Sequence, residues 1–206
     1  MIYRLLKRAA DLFCAIILLI ILSPLFLLIA FLIYFDNGLP IFYVQKRIGL
    51  KNKLFRIFKF RTMIKNAEKD ELGYMCYEGD KRITKVGKIL RKYSLDELPQ
   101  LINILKGEMS FVGPRPAVFD EFERENLHKS CDKYLKIRSL FKPGLTGFVQ
   151  IHGRNELTWN KKLAYDKLYY YKVYNNQLIH FIIDSYILIA TFYIIFSDKG
   201  EYDPRQ

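Results

Sequence analysis

The longest apolar segment of the chain runs from Leu12 to Phe35 and contains no charged residue. An α-helix of that length is long enough to cross the hydrocarbon core of a bilayer. Ser23-Pro24 lies in the middle of the segment. Proline lacks a backbone N–H and clashes with the carbonyl one turn earlier, and a serine can bond back to such a carbonyl. The pattern therefore predicts a helix that is kinked or broken at Ser23-Pro24.

The charges on either side of this segment leave its topology open. Basic residues precede it and follow it: Arg4, Lys7 and Arg8 on one side, and Lys46, Arg47, Lys51 and Lys53 on the other. Basic flanks on both sides give the positive-inside rule no preferred orientation for a span. A re-entrant hairpin of two half-helices would keep both flanks on one face of the membrane, whereas a kinked helix would cross it. The residues by themselves favour neither arrangement.

The middle of the chain predicts a β-hairpin followed by two short helices. Residues 41–47 and 53–61 are rich in β-branched and aromatic residues, and a five-residue connection, "IGLKN", separates them. Residues 83–93 have the apolar spacing of a short, basic, amphipathic helix. The stretch "LPQLINILKGEMS" predicts a second helix that ends at Gly107. Residues 66–82, between hairpin and helices, are interpreted as a loop or a short surface helix.

Three further helices are predicted towards the C-terminus, over residues 117–138, 157–174 and 178–196. The second is rich in Lys and Tyr, and the third is almost entirely apolar. Because Asp184 at the centre of a bilayer would be costly, the last helix is interpreted as interfacial or docked on the domain, with a second span as the alternative. The predicted fold is α+β and mainly helical.

Composition narrows the class of partner. Lys and Arg together number 33 against 21 Asp and Glu, a net charge of +12, which is typical of proteins that bind polyanions. No helix-turn-helix, zinc-finger or RNA-recognition signature is present, so nucleic acid is not the predicted partner. The three cysteines, Cys14, Cys76 and Cys131, lie far apart and predict neither a disulfide framework nor a zinc site.

Two adjacent carboxylates stand out in this basic chain, in "SLDELPQL" (94–101). Ser94 followed by Glu97 matches a capping box, and an N-cap at Asp96 would place Pro99 in the first helical turn. Either register puts Asp96 and Glu97 at a helix N-terminus, where the helix dipole favours their ionised forms. A purely structural role in capping is therefore the first interpretation of this pair.

Loops rich in glycine and proline suggest a second interpretation. "GPRP" holds Arg115 between two prolines, "PGLTG" (143–147) has a composition that can expose backbone amides to an anion, and "GRN" offers Arg154. "KFRTM" supplies Lys59 and Arg61. Together with the carboxylate pair, these residues predict a site for a metal-bound diphosphate, in which Asp96 and Glu97 hold Mg²⁺ and the arginines hold phosphate oxygens.

The chain resembles the monotopic phosphoglycosyl transferases, bacterial sugar transferases that start glycan assembly on a polyprenol. The resemblance covers nearly the whole chain, and it is to the minimal form of the family. It rests on "KRAADL", Ser23-Pro24, "QKRIGL", "FKFRTM", "KVGKILRKYSLDELPQLINILKGEMSFVGPRP", "KPGLTGFVQIHGRN" and "DKGEY". It implies a re-entrant membrane helix over residues 1–36, broken at Ser23-Pro24. It also implies a catalytic domain over 37–206 on the cytoplasmic face of the inner membrane, with interfacial amphipathic helices.

The resemblance also implies a reaction: transfer of a sugar-1-phosphate from a UDP-sugar to undecaprenyl phosphate with Mg²⁺, releasing UMP. Asp96 would attack the β-phosphate and form a covalent intermediate, and Glu97 would assist as a metal ligand or by orienting its neighbour. Polyprenyl phosphate would then displace Asp96 in a ping-pong scheme. A glycosyltransferase that releases UDP and a non-catalytic basic membrane adaptor are the alternatives.

Further residues receive expected roles. Arg115 is the first candidate for binding phosphate, followed by Lys59, Arg61 and Arg91, while Arg154 would face the nucleotide or sugar. Gly113 and Pro114 would shape the phosphate-binding loop. Lys7 and Arg8 would either meet the lipid phosphate or anchor the first helix. A homodimer at the membrane surface is a further expectation, and the sequence does not specify which sugar is transferred.

Overall fold

The computed structural model describes residues 2–67, 79–118, 137–153, 157–174 and 176–196. Within this part of the chain there are six helices and two small sheets, which confirms the prediction of an α+β, mainly helical fold. The helices are α1 (Ile2–Ile21), α2 (Ser23–Asn37), α3 (Lys85–Lys92), α4 (Gln100–Lys106), α5 (Trp159–Val173) and α6 (Gln177–Phe196). The strands are β1 (Phe42–Ile48), β2 (Leu54–Phe60), β3 (Ser110–Val112), β4 (Ala117–Val118) and β5 (Gly144–Thr146).

The apolar N-terminal segment is bent by 60° between α1 and α2. The Leu22 N–H still donates to the Leu18 carbonyl at 2.8 Å, and α2 then begins at Ser23 with Pro24 in its first turn. The Ser23 hydroxyl donates to the Ile20 carbonyl at 2.8 Å, the carbonyl that Pro24 has no N–H to bond. A bend of this size fits a broken span and a re-entrant hairpin alike, so re-entry stays a prediction.

Helix α1 is amphipathic, but its polar groups face the rest of the chain and its apolar side chains face outwards. The side that packs on the rest of the chain carries Asp11 and Ala15, which are buried, and Ala15 lies in a cluster with Leu101 and Ile104 of α4. The opposite side is apolar and exposed, as Phe13 at 66% and Ile20 at 68% show. Such an arrangement places the polar groups inside and the apolar surface outside, as in proteins that are solvated by lipid.

The predicted β-hairpin is confirmed. Strands β1 and β2 pair antiparallel from Phe42 opposite Phe60 to Ile48 opposite Leu54, across a connection that contains a 3₁₀ turn. Strand β4 adds to the other edge of β1. The prediction of a helix over 117–138 is wrong at its first two residues, because Ala117 and Val118 form this strand. Residues 119–136 lie outside the described part of the chain.

The predicted helices after the hairpin are also confirmed, with shifted ends. Helix α3 begins after Thr84, whose hydroxyl accepts from the Gly87 N–H. Helix α4 ends where Gly107 adopts φ 80°, a left-handed conformation that glycine takes without strain. Helices α5 and α6 cover the predicted Lys/Tyr-rich and apolar segments. Most of 66–82, the predicted loop or short helix, lies outside the described residues.

The polar residues of α6 explain how this apolar helix docks on the domain. Asp184 is buried, and its carboxylate accepts from Lys7 Nζ of α1 at 2.6 Å and from the Tyr169 hydroxyl of α5 at 2.7 Å. Ile187, one turn later, is fully buried, whereas Ile189 and Phe192 face outwards with 72% and 67% of their surface exposed. Docking on the domain is therefore observed, with the charge turned inwards.

By length and composition, α6 is the one helix of the described chain that suffices by itself to cross a bilayer. The bent pair of α1 and α2 would be a second candidate span if the two helices together counted as one. Together with the outward apolar faces, these segments indicate association with a membrane. Whether α6 lies in the interface or spans stays a prediction.

Asp184→Ala is expected to lower the free energy of unfolding by about 3 kcal/mol, because it leaves the part-buried Lys7 ammonium without its partner. Thermal unfolding of the detergent-purified protein would show this as a lower melting temperature. The double variant Lys7→Met/Asp184→Leu should recover most of the loss, since it removes both charges. Equal melting temperatures for wild type and Asp184→Ala would contradict the assigned role of the pair.

Candidate active site

Asp96 and Glu97 lie in a 3₁₀ turn, Leu95–Glu97, between α3 and α4. Ser94 has φ 54°, a left-handed conformation, and makes no side-chain capping bond, so the capping box does not form. Helix α4 begins only at Gln100, after the buried Pro99, so neither predicted capping register occurs. Leu95 and Leu98 pack against a core cluster of α2, β2 and α3 residues, which fixes the turn. The carboxylates therefore precede the helix and are not part of its cap.

Two cations converge on Glu97 from different elements. Lys59 Nζ, on β2, lies 2.7 Å from Glu97 Oε1, and Arg115 Nη2 lies 3.3 Å from the same oxygen. Lys59 Nζ is also 3.9 Å from Asp96 Oδ2. The fold thus brings together four of the residues that the sequence singled out. Glu97 holds the two cations beside Asp96.

The Asp96 carboxyl is only 14% exposed, and its environment raises its pKa above the usual value. Burial is the largest cause, since it disfavours the charged form, and the neighbouring Glu97 carboxylate adds to it. Lys59, Arg91 and Arg115 act in the opposite direction and favour the ionised form. The cations therefore offset part of the cost of holding a negative charge in a nearly closed site.

Arg91 reaches this group from α3. Its Nε donates to the Thr62 hydroxyl at 2.9 Å, and its charge acts on Asp96. The helix can approach this closely because residue 87 is glycine: a Cβ there would lie 2.1 Å from the Thr62 carbonyl oxygen. Arg91 thus joins the cations around the carboxylate pair.

Arg61 is not brought to the carboxylate pair. It is buried, and its Nη2 donates to the carbonyls of Asn37, at 2.6 Å, and Gly38 at the end of α2. Burial lowers the pKa of its guanidinium. These contacts support an anchoring role for Arg61, at the point where the membrane segment enters the domain.

The two N-terminal basic residues are likewise engaged elsewhere. Lys7 pairs with Asp184, as described above. Arg8 donates to the carbonyls of Ile104, at 2.6 Å, and Leu105, at 3.0 Å, at the C-terminus of α4. Of the two roles predicted for them, these contacts support anchoring of the first helix. Arg154, predicted to face the nucleotide or sugar, lies outside the described residues.

The loop that carries Arg115 is fixed by bonds to its carbonyls. The Gly144 N–H donates to the Pro114 carbonyl at 2.9 Å, Arg138 Nη2 donates to the Arg115 carbonyl, and Arg47 Nη1 donates to the Pro116 carbonyl at 2.9 Å. Three successive carbonyls are thus held by three different parts of the chain. Because the two prolines have no N–H, this loop depends on external donors for its conformation.

The expectation that "PGLTG" exposes its amides to an anion is corrected at Gly144. Strands β3 and β5 pair in parallel, with Ser110 opposite Gly144 and Val112 opposite Thr146. The Gly144 N–H is used on Pro114, and the Gly113 N–H donates to the Thr146 carbonyl at 2.9 Å. The contacts of Gly113 and Pro114 therefore support the predicted role in shaping the loop.

Two residues that sequence reasoning did not assign to the site line the same small pocket. Arg47 and Gln100 surround it together with Lys59, Glu97 and Arg115. Arg47 was visible only as one basic residue in a strand, and Gln100 only as a polar residue at a helix start. No spacing in the sequence links either residue to the carboxylates, because only the fold brings Arg47 and Gln100 to the same pocket.

The two carboxylates fit a magnesium ion in part. Mg²⁺ is commonly held by one or two protein carboxylates and completed by substrate phosphates and water. Within the described residues, no cluster of three or more potential metal-binding side chains occurs. Because Glu97 Oε1 already contacts Lys59 and Arg115, Asp96 is the better-placed ligand of the pair.

The buried carboxylate of Asp166 pairs with Arg138, the arginine that donates to the Arg115 carbonyl. Its titration makes the free energy of unfolding depend on pH. Asp166 Oδ2 of α5 lies 2.9 Å from Arg138 Nε, and burial raises the pKa of Asp166 to about 6. Since this value exceeds that of the unfolded chain, the ionised form opposes folding, and its cost disappears as the pH falls from about 6 to about 4.

The wild type should therefore gain about 2 kcal/mol of unfolding free energy, relative to Asp166→Asn, between pH 7 and pH 4. Denaturant unfolding of both proteins across this range would measure the difference, and other titrating groups cancel in the comparison. Parallel pH profiles for the two proteins would contradict the raised pKa.

Comparison with known proteins identifies the family. The family model described as bacterial sugar transferase matches residues 2–198. The chain is 41% identical over 210 residues to the exopolysaccharide production protein ExoY of Sinorhizobium fredii, covering 95% of this chain and 88% of that protein. It is 39% identical over 213 residues to the undecaprenyl-phosphate galactose phosphotransferase of Salmonella typhimurium, covering 97% of this chain and 42% of that protein.

A third relative is the undecaprenyl-phosphate glucose phosphotransferase of Komagataeibacter xylinus, 41% identical over 160 residues, covering 77% of this chain and 30% of that protein. These matches confirm the prediction that the chain is a sugar-transferring enzyme. The chain belongs to the bacterial sugar transferase family.

Proposed function

We propose that this protein transfers a sugar-1-phosphate from a UDP-sugar to undecaprenyl phosphate and releases UMP. The observation that carries this proposal is the group of Asp96, Glu97, Lys59 and Arg115, in which a nearly buried carboxylate lies among cations suited to phosphate. The named activities of the Salmonella and Komagataeibacter relatives, which act on undecaprenyl phosphate, support the choice of acceptor.

The residues support a two-step displacement. An Asp96 oxygen attacks the β-phosphorus of the UDP-sugar, the new O–P bond forms, and the bond to the bridging oxygen breaks, so that its electron pair leaves with UMP. The phosphate oxygen of the polyprenol then attacks the same phosphorus, and the bond to Asp96 breaks, which restores the carboxylate. Two substrates from different phases then never need to occupy the site together.

The remaining groups bind and orient. Glu97 holds Lys59 and Arg115 where they can contact phosphate oxygens, and Arg91 adds positive charge beside Asp96. A magnesium ion bound by Asp96 and Glu97 would neutralise the charge of the diphosphate and of the departing UMP. The contacts of Glu97 support its orienting role more directly than a role as metal ligand.

We further propose that α1 and α2 form a re-entrant hairpin and that the catalytic part lies on the cytoplasmic leaflet of the inner membrane. The basic residues on both sides of the bent pair support this arrangement, because it keeps all of them on one face. The outward apolar faces of α1 and α6 would then contact lipid. A homodimer at the membrane surface is part of the same proposal.

To test this proposal, the nanodisc-embedded protein is incubated with undecaprenyl phosphate, Mg²⁺ and a panel of UDP-sugars. The nucleotide that is released is then identified. UMP from at least one donor is the expected result and would also identify the sugar. Release of UDP would mean cleavage on the sugar side of the diphosphate, which would exclude the aspartyl scheme. A simple membrane adaptor would release neither nucleotide.

A further inference from the structure

Two basic side chains from distant parts of the chain converge at the end of α4. A Cβ placed on Gly107 would lie 3.2 Å from Arg8 Nη2 and 3.6 Å from Lys142 Nζ. Arg8 belongs to α1, and Lys142 lies in the segment before β5. Both charged groups therefore approach the same point at the boundary between the first helix and the domain.

The two cations differ in their hydrogen-bond partners. Arg8 is bonded to the carbonyls of Ile104 and Leu105. Lys142 Nζ makes no hydrogen bond and no ion pair within the part of the chain that the structure describes. Its pKa is lowered by burial and by repulsion from Arg8, while Asp11 acts in the opposite direction. Arg8, Lys142 and Asp11 together leave one net positive charge, and an anion at this point would relieve the repulsion between the cations.

The position of Lys142 links two regions of the molecule. Arg8 lies on the side of α1 that packs on α4, and the opposite side of the same helix is apolar and exposed. Gly144, two residues after Lys142, lines the pocket that contains Glu97 and Arg115. A phosphate held here would lie between the lipid-facing helix and the carboxylate pocket.

We infer that Lys142, with Arg8 beside it, binds the phosphate of a membrane lipid whose apolar chain extends along α1. An ammonium and a guanidinium are donors suited to phosphate oxygens, and the lysine still has all three of its hydrogens to donate within the described structure. The lipid is a phosphate monoester, undecaprenyl phosphate, if the proposed function is right, and the headgroup of an anionic phospholipid is the other source of the same chemistry.

Lys142 would supply the "KPGLTG" segment with an anion-binding group, whereas the Gly144 N–H is already used on the Pro114 carbonyl. Gly113 and Gly144 are used to pair β3 with β5, which brings residue 142 to the end of α4. The anion-binding group of the segment is then the side chain of its lysine.

The test uses full-length, detergent-purified protein equilibrated with equal amounts of undecaprenyl phosphate and phosphatidylglycerol. After the protein is recovered, mass spectrometry counts each lipid bound per chain. Lys142→Met is compared with Lys142→Arg, which keeps the charge, and with Lys53→Met, which removes an exposed lysine from the hairpin connection. Lys142→Gln serves as a second neutral variant, and melting temperatures check that all variants fold.

The expected result is a loss of at least about 80% of the bound undecaprenyl phosphate in both neutral variants, with binding kept in Lys142→Arg and Lys53→Met. Loss of phosphatidylglycerol alone would assign the site to a phospholipid headgroup. Unchanged binding of both lipids in a folded neutral variant would overturn the inference.

A kinetic experiment separates this inference from the proposed function. Without acceptor, a burst of UMP from the UDP-sugar should be the same in wild type and Lys142→Met, because the first step needs no lipid. With acceptor, KM for undecaprenyl phosphate should rise at least about tenfold, the effect of losing roughly 1.4 kcal/mol of binding. If the wild type releases no UMP from any donor, the proposed function fails, while the lipid-binding measurement still decides the role of Lys142.

Discussion

Asp96→Asn is expected to lower the rate of UMP release by at least about 10³-fold, with little change in the melting temperature. Asparagine has the size of aspartate but no anionic oxygen to attack phosphorus, so the first step of the proposed scheme cannot occur. The nucleotide released in single-turnover and steady-state assays would measure the loss. Intact-mass analysis of the wild type mixed with the donor alone should show a covalent sugar-phosphate adduct that is absent from the variant.

Two variants define the specificity of this result. Asp36→Asn removes a carboxylate that accepts from the Val86 N–H at 3.0 Å, and the amide oxygen still accepts that bond, so activity should stay within about twofold. Glu97→Gln weakens the hold on Lys59 and Arg115 and should cost about 10–100-fold, with a higher KM for the donor. An Asp96→Asn variant with wild-type turnover would exclude the covalent scheme, although the chain would still belong to its family.

Gly144→Ala is expected to abolish activity and to lower the free energy of unfolding by about 3 kcal/mol. A Cβ on residue 144 would lie 2.1 Å from the Gly113 nitrogen and 2.2 Å from the Thr146 carbonyl oxygen. Both are backbone atoms: Gly113 directly follows β3, and Thr146 lies in β5 itself. The backbone of β5 must therefore shift, and β5 must move away from β3. That separation also breaks the bond from Gly144 to the Pro114 carbonyl, so Arg115 would leave Glu97.

The matched control for this prediction is Gly49→Ala. Its new Cβ would meet the Phe55 side chain at 3.0 Å and the Lys53 carbonyl at 3.2 Å, and its φ of −116° is accessible to alanine. We expect a loss of no more than about 1 kcal/mol and nearly normal UMP release. Thermal unfolding and the nucleotide assay measure both variants. Equal behaviour of the two would show that the contact between β3 and β5 does not position the site.

The sequence predicts those features of the fold that depend on local rules. Two stretches rich in β-branched and aromatic residues with a five-residue connection predict the β1–β2 hairpin, and the C-terminal end of α4 follows from a glycine that can take a left-handed φ. The bend between α1 and α2 falls next to Ser23-Pro24 because proline cannot donate to the preceding turn. The same rules are wrong at residues 117–118, where pairing with β1 overrides the local preference for a helix.

For the site, the sequence identifies the carboxylate pair and its cations but not how they are arranged. The capping registers fail because Ser94 turns the chain and the leucines on either side of the pair fix a 3₁₀ turn. Among the basic residues, Lys59 and Arg61 are two positions apart on or just after β2, yet one contacts Glu97 and the other is bonded to the end of α2. Arg115 reaches Glu97 because bonds from Gly144, Arg138 and Arg47 hold its loop.

The sequence by itself therefore determined the family, through its motifs, and the positions of the hairpin and of the apolar segments, because periodicity and local backbone chemistry can be read along a chain. Only the tertiary structure decided that Lys59 and Arg115 meet on Glu97, that Lys7 is paired with Asp184, and that Lys142 is left beside Arg8 without a bond in the described structure. These contacts join residues far apart in sequence, and burial and side-chain direction in the folded core determine which of many basic residues becomes part of the site.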